Sequence, residues 1–206
     1  MVAVHPYSHD SGRTRIVLLA LAAGSILLAW GLGRALDALD VEPPWWLDTP
    51  AVVGFYGILW QLYDRLLWRL PIGPRTLSGI ADYRGIWDGH LHSSYNGGTE
   101  VEASLTIRQT SSRILVEMGR GQSGSFSRMA MLCGEPGSER GLQYLYTNRP
   151  HNEPREPEAG GVGVIAMTIH EGVSRLLLSE DGTTLTGDYQ NDRHRQTYGT
   201  MSFTRR

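Results

Sequence analysis

The sequence predicts an all-β domain, a small antiparallel meander barrel of eight or nine strands, preceded by a two-helix transmembrane hairpin. Three observations predict it. Residues 16–33 form an uncharged run of 18 between Arg15 and Arg34. A second apolar segment, residues 51–71, follows closely. From Asp82 onward apolar and polar residues alternate in short runs, with turn residues roughly every 8 to 12 positions. The change of character falls near Pro74, so the 206 residues divide into a membrane part and a domain at 76–206.

The first segment, within "RIVLLALAAGSILLAWGLGR", is long enough to cross a bilayer core of about 30 Å at about 1.5 Å per residue. A cleaved signal peptide competes, because arginines precede the run and small residues follow it. Signal cores are shorter, however, and a second apolar segment comes soon after. That segment, "PAVVGFYGILWQLYDRLLWRLP", carries Asp64 and Arg65 in its last turns, where charged groups can reach the headgroups. The loop between them, 34–50, is acidic through Asp37, Asp40, Glu42 and Asp48, and its Trp45 and Trp46 suit an interfacial belt. Arg13 and Arg15 before the first helix, and Arg65, Arg69 and Arg75 after the second, outnumber Arg34 in the loop. By the positive-inside rule residues 1–15 and the domain at 76–206 are both cytoplasmic, and the loop is external. Ala20 with Gly24, and Ala29 with Gly33, have the four-residue spacing that lets membrane helices approach closely.

Charge excludes one class of partner. From Thr76 onward 13 arginines face 15 carboxylates, so no positive field exists to attract long nucleic acid. All 19 basic residues are arginine, which fits a coding bias and also supplies bidentate phosphate donors. Cys133 is the single cysteine, which leaves no disulfide framework or thiolate metal cluster and suits a reducing cytoplasm.

In the domain, strands are expected near 82–95, 100–109, 112–119, 125–133, 141–148, 162–170, 173–179, 183–190 and 196–204. "NGG" at 96–98 and "EDG" at 180–182 supply the positive backbone angles of tight hairpins. Antiparallel strands of this number close into a lipocalin-like barrel whose interior admits one small ligand. "RPHNEPREPEAGG", from Arg149 to Gly161, is too polar and proline-rich for a strand and is expected as a mobile loop at one rim. Parity puts Leu142, Tyr144, Tyr146 and Asn148 on one face of a strand, and Val162, Val164, Ala166, Thr168 and His170 on one face of another. A polar group closes each series. That pattern writes a barrel with an apolar floor and a polar mouth, or else Asn148 and His170 merely mark where strands emerge into solvent.

Chemical motifs are sparse. "HLH" sets His90 and His92 on one strand face, and His170 or Glu100 would complete a cupin-like metal set. The spacing to Glu100 is long for such a motif and no second motif follows, so no metal or cofactor is expected. No phosphate loop, nucleophile elbow or paired carboxylates appear, so the chain is not expected to be an enzyme. The segment "GDYQNDRHRQTYGTM", 187–201, is the exception. Arg193 and Arg195 share a parity, offering guanidinium forks for phosphates beside the rings of Tyr189 and Tyr198 for base stacking. A solvated hairpin turn is the competing reading.

Two apolar segments followed by "YRGIWDG", "LTIRQTSSRILVEM", "SGSFS", "YLYTNRP" and "LTGDYQNDRHRQTYGTMSF", in that order, resemble a bacterial antiphage family. These are the membrane-anchored STING-like β-barrel effectors of cyclic-oligonucleotide-based antiphage signalling (CBASS), the two-transmembrane CD-NTase-associated effectors. The resemblance implies a multi-pass protein of the bacterial inner membrane with its barrel in the cytoplasm. It implies that the barrel binds a cyclic dinucleotide made by a partner CD-NTase synthase and forms homo-oligomers. The helices would then disrupt the lipid membrane, giving abortive infection. Joined to the chemistry above, it marks Tyr146, Asn148, Tyr189, Arg193, Arg195, Tyr198, Ser123 and Ser125 as ligand-binding candidates, with His170 and Trp87 beside them. Trp87 also suits a core plug at the closed end of a small barrel. The rival readings are a membrane-anchored lipocalin-like carrier of an apolar ligand, a cupin-like metalloenzyme, and a structural envelope protein.

Overall fold

A computed structural model describes residues 4–9, 12–41, 48–72, 75–95, 98–120, 123–133, 140–150, 169–192 and 196–206. The chain forms two compact units, one of Met1–Asp10 with Ala81–Arg206 and the other of Ser11–Ile80. The first strand, β1 (His5–His9), belongs to the former.

The helical unit holds α1 (Thr14–Asp37), α2 (Asp48–Arg65), a 3₁₀ turn at Leu67–Arg69, and a two-stranded ribbon of β2 (Pro71–Ile72) and β3 (Arg75–Thr76). Ile16, Leu19, Leu27 and Trp30 of α1 are all exposed. A helix apolar on every side suits a solvent as apolar as itself. Among the described residues α1 is the one helix long and apolar enough to cross a membrane, by length and composition, with a mean hydropathy of 2.2. The segment expected as a helix at 51–71 divides: α2 stops at Arg65, Leu66 takes φ −125° and ψ −52°, and the chain tightens into the 3₁₀ turn. Trp68, in that turn, is fully buried, and its burial competes with a straight continuation of the helix. Gly24 faces α2, where an added Cβ would lie 3.4 Å from Leu59, whereas Gly33 has open space around it.

The second unit is a closed barrel. Its remaining strands are β4 (Gly85–Ser93), β5 (Thr99–Gln109), β6 (Arg113–Arg120), β7 (Ser123–Cys133), β8 (Arg140–Pro150), β9 (His170–Leu178), β10 (Thr184–Asn191) and β11 (Tyr198–Arg205). The order around the ring is β1-β6-β5-β4-β11-β10-β9-β8-β7. Period-two patterning of the sequence anticipates this antiparallel meander, and the "EDG" turn has Gly182 at φ 73° as hairpin geometry requires. Gly98 of "NGG" is likewise positive, at φ 114°; Asn96 and Gly97 lie outside the described residues.

Two strand expectations change. Residues 162–168 of the expected 162–170 strand lie outside the described residues, and the break expected at 171–172 does not occur: β9 runs through it from His170 to Leu178, paired along its length with β8. The second change is β1, which lies in the segment 1–15 that the sequence reading leaves outside the barrel. It runs antiparallel to β6 (His5 opposite Ile114) and parallel to β7 (Tyr7 opposite Ala130). β6 and β7 pair directly only from Glu117 opposite Phe126 to Arg120 opposite Ser123. Beyond that β7 is irregular between Ser127 and Met129, and β1 fills the seam. The hydroxyl of Ser127 accepts the Val116 N–H at 2.9 Å and lies 2.7 Å from His5 Nε2, so the irregular stretch keeps its polar groups partnered. Five residues without an aliphatic stripe carry no strand signal of their own.

Inward-facing residues settle into two halves. Trp87, Leu105, Leu142, Leu176, Leu185 and Phe203 are each at most 1% exposed and fill the closed half. Burial of such a side chain is worth about 1.5–3 kcal/mol. The closed end is clamped by Gln109: its Oε1 accepts the Tyr83 N–H at 2.9 Å and its Nε2 donates to Ala81 O at 3.1 Å. Tyr7 of β1 donates its hydroxyl to the neighbouring carbonyls of Thr110 and Ser111, at 3.0 and 2.8 Å. Both places where the chain enters or leaves the barrel unit, after β1 and before β4, are thus anchored at the closed end.

Candidate ligand site at the barrel mouth

The other end of the barrel is polar inside. Three adjacent strands place Ser125, Asn148 and His170 in one register row, Ser125 opposite Asn148 and Asn148 opposite His170. Ser125 and His170 are buried and Asn148 is half-buried. Asn148 Nδ2 donates to His170 Nε2 at 3.4 Å. These groups end the inward series Leu142, Tyr144, Tyr146, so the structure supports a mouth in place of strand ends that merely enter solvent.

Beneath this row is an aromatic layer. Tyr146 crosses β9 above Gly172, where any Cβ would collide with its ring and hydroxyl, and donates to Asn191 Oδ1 at 2.7 Å. Asn191 Nδ2 then donates to Thr197 Oγ1 at 2.6 Å, and the Asn191 N–H to Thr197 O at 2.8 Å. Tyr189 lies in the same manner over Gly199, whose added Cβ would meet the ring at 2.7 Å. Tyr144 and Tyr146 are tilted rings with centroids 6.1 Å apart. Burial pushes the Tyr144 phenol up to about 12, against the opposing effect of its bond with Ser174, so it stays neutral. The cup therefore offers hydrogen-bond donors and acceptors above three phenol rings, suited to a planar heterocycle with a hydrogen-bonding edge.

The sequence candidates divide. Ser125, Tyr146, Asn148, His170 and Tyr189 come together in this cup. Tyr198 does not: it is 65% exposed on the outward parity of β11, its N–H bonded to Ser94 Oγ at 3.1 Å. Trp87 does not either, being fully buried at the closed end, where Nε1 donates to Tyr83 O at 2.9 Å and Arg205 lies 4.4 Å over its ring. Its role as a core plug is the one the packing supports. Ser123 begins β7 opposite Pro150 at the mouth end. Arg193 and Arg195 lie outside the described residues, as do residues 151–161 of the expected rim loop. The segment that carries the two arginines is pinned at its base by the Asn191–Thr197 bonds and by Gln196 N–H donating to Asp192 O at 2.9 Å. Asn191, Thr197 and Ser174 were missed. Asn191 shares the parity of Tyr189, the signal that finds it.

His90 and His92 point outward, each 3.6 Å from Glu100 Oε1, and are separated from His170 at the mouth. The inward cupin-like set is therefore not assembled, and no group of three metal-ligating side chains occurs among the described residues.

Residues 78–205 match the family model described as Cap15, cyclic dinucleotide receptor domain. A curated relative, CD-NTase-associated protein 15 of Yersinia aleksiciae, is 30% identical over 154 residues, covering 74% of this chain and 68% of its own length. The match spans every strand from β4 to β11, including the whole mouth, and the chain belongs to the Cap15 cyclic dinucleotide receptor family.

Proposed function

We propose that this chain is an antiphage defence effector whose barrel binds a cyclic dinucleotide at its mouth. Binding drives self-association, and the helical unit, with α1 and α2 as a two-helix anchor, then disrupts the inner membrane from the cytoplasmic side. The carrying observation is the cup itself: a row of polar groups, Ser125, Asn148 and His170, above Tyr144, Tyr146 and Tyr189, in a domain of this family. A cyclic dinucleotide presents two bases with hydrogen-bonding edges and two phosphates. Asn148 and His170 suit a base edge, the phenol rings suit its faces, and Arg193 and Arg195 suit the phosphates. The name of the Yersinia relative supports a functional link to a CD-NTase, and the apolar α1 supports a membrane anchor.

Calorimetric titration of the full chain in detergent micelles against a panel of cyclic di- and trinucleotides tests this, with linear dinucleotides and fatty acids as controls. Submicromolar binding of one cyclic species, lost in Asn148→Ala, is the expected result. Binding of a fatty acid alone would replace the sensor with the carrier.

A further inference from the structure

The outside of the barrel has two unlike walls. On β7, β8 and β9, Met129 stands opposite Leu145 and Leu145 opposite Val173, an apolar row across three strands. Met129 is 66% exposed, Val173 54%, and Met131 in the next row 40%. Contiguous exposed apolar groups of this kind mark an interaction surface. The same wall carries Arg128, Arg149 and Arg175, all exposed, and among its described outward positions one exposed carboxylate, Glu171. The wall of β4 and β5 is different. Toward the mouth its outward positions are His90, His92, Glu100 and Glu102, all exposed and none aliphatic, while exposed Ile86 and Arg108, the latter paired with Glu117, lie further toward the closed end. Among the described residues, Glu100 has the His90 and His92 imidazoles within ion-pair distance, each at 3.6 Å. Strand β4 stands four places from β8 in one direction round the ring and five in the other, so the two walls are on opposite sides.

We infer that the apolar, arginine-bearing wall of β7–β9 docks on the acidic wall of β4–β5 of a second copy of this chain. Charge complementarity selects this partner: the wall with an excess of arginine finds its counterpart on the far side of an identical molecule, whereas two like walls would set three arginines and a single Glu171 against the same set. A contact between two different walls is head-to-tail, so it repeats from copy to copy and builds a row or a ring in place of a closed two-fold dimer. Each barrel keeps its mouth free, because the contact uses outward parity and the cup uses inward parity. This deepens the self-association proposed above and rests on that reading.

The test uses the full chain in detergent micelles, with particle mass read by mass photometry and binding read separately by calorimetry. The probes are cyclic di-AMP, cyclic di-GMP and cyclic GMP–AMP. Met129→Glu/Val173→Glu, Arg128→Glu/Arg175→Glu and Glu100→Arg/Glu102→Arg each abolish the ligand-driven mass increase, while affinity for the active probe stays within twofold of wild type. Mixing the two charge-reversed proteins restores assembly, since each then presents the wall the other needs. Assembly of any variant at wild-type mass overturns the proposal, and so does a mixture that fails to recover while both components remain folded by circular dichroism. If no probe binds wild type, the functional reading fails. The same variants are then scored in concentration-driven assembly, where the mixing result upholds or overturns the docking independently.

Discussion

Tyr146 donates its hydroxyl to Asn191 Oδ1 at 2.7 Å, tying β8 to β10 across the strand between them. The bond exists because residue 172 is glycine: a Cβ there would overlap the Tyr146 ring and stand 2.7 Å from Gln190 O. Asn191 in turn holds Thr197 with two bonds, so one phenol supports the residues that flank Arg193 and Arg195 in the chain.

Tyr146→Phe leaves a buried amide oxygen without its donor and is expected to cost about 1–3 kcal/mol. Gly172→Ala overpacks the same spot at a similar cost of about 1–3 kcal/mol. Gly172→Ala is expected to be non-additive with Tyr146→Ala, being milder once the ring is gone, in a cycle of wild type, the two single variants and the double. Thermal unfolding of the four proteins checks this; strict additivity would mean that ring and glycine are not coupled.

Asn148→Ala and His170→Ala remove the two polar ends of the inward series and are each expected to weaken cyclic dinucleotide binding by about 1–3 kcal/mol. Trp87→Phe is the contrasting variant. It loses stability through the Tyr83 bond and the Arg205 contact at the closed end but keeps ligand affinity. Calorimetry beside a melting curve separates the two classes.

Gln109→Ala is expected to cost about 1–3 kcal/mol, since the Tyr83 N–H and the Ala81 carbonyl lose their partner together. Hydrogen exchange at the Tyr83 amide is expected to rise with it, and unchanged protection there would show that another group carries the clamp.

Acid stability has a defined origin. Bonds from the Ser179 hydroxyl and from the N–H and hydroxyl of Thr183 hold Asp181 at about 2, below the ordinary carboxylate value of 3.8. At Asp82 burial raises the pKa, but the Arg84 hydrogen bonds and charge outweigh it and the net shift is downward. Both groups bind a proton more readily unfolded than folded, so their stabilisation is present above about pH 4 and is lost as pH falls toward 2. The melting temperatures of wild type and Asp181→Ala are therefore expected to converge over that window.

The meander was legible in the sequence because antiparallel neighbours follow one another along the chain and each strand writes its own period-two signal. The inward run of Leu142, Tyr144, Tyr146 and Asn148 could be read in the same way. Tyr198 could not be placed: it lies across from Gln190, and only the register of the β10–β11 hairpin reveals that it faces outward while Tyr189 faces in. His90 and His92 share a face by spacing, but which face that is depends on where the core lies.

By itself the sequence determined an all-β domain after an apolar N-terminal part, the hairpin turns, the polar end of β8, and a family resemblance now shown by direct comparison. Local propensity and parity suffice for those features. Tertiary structure alone decided that His5–His9 closes the seam and that Tyr146 and Asn191 meet over Gly172. Each of these joins residues distant in the chain through ring closure and side-chain packing, and no local pattern records a contact of that kind.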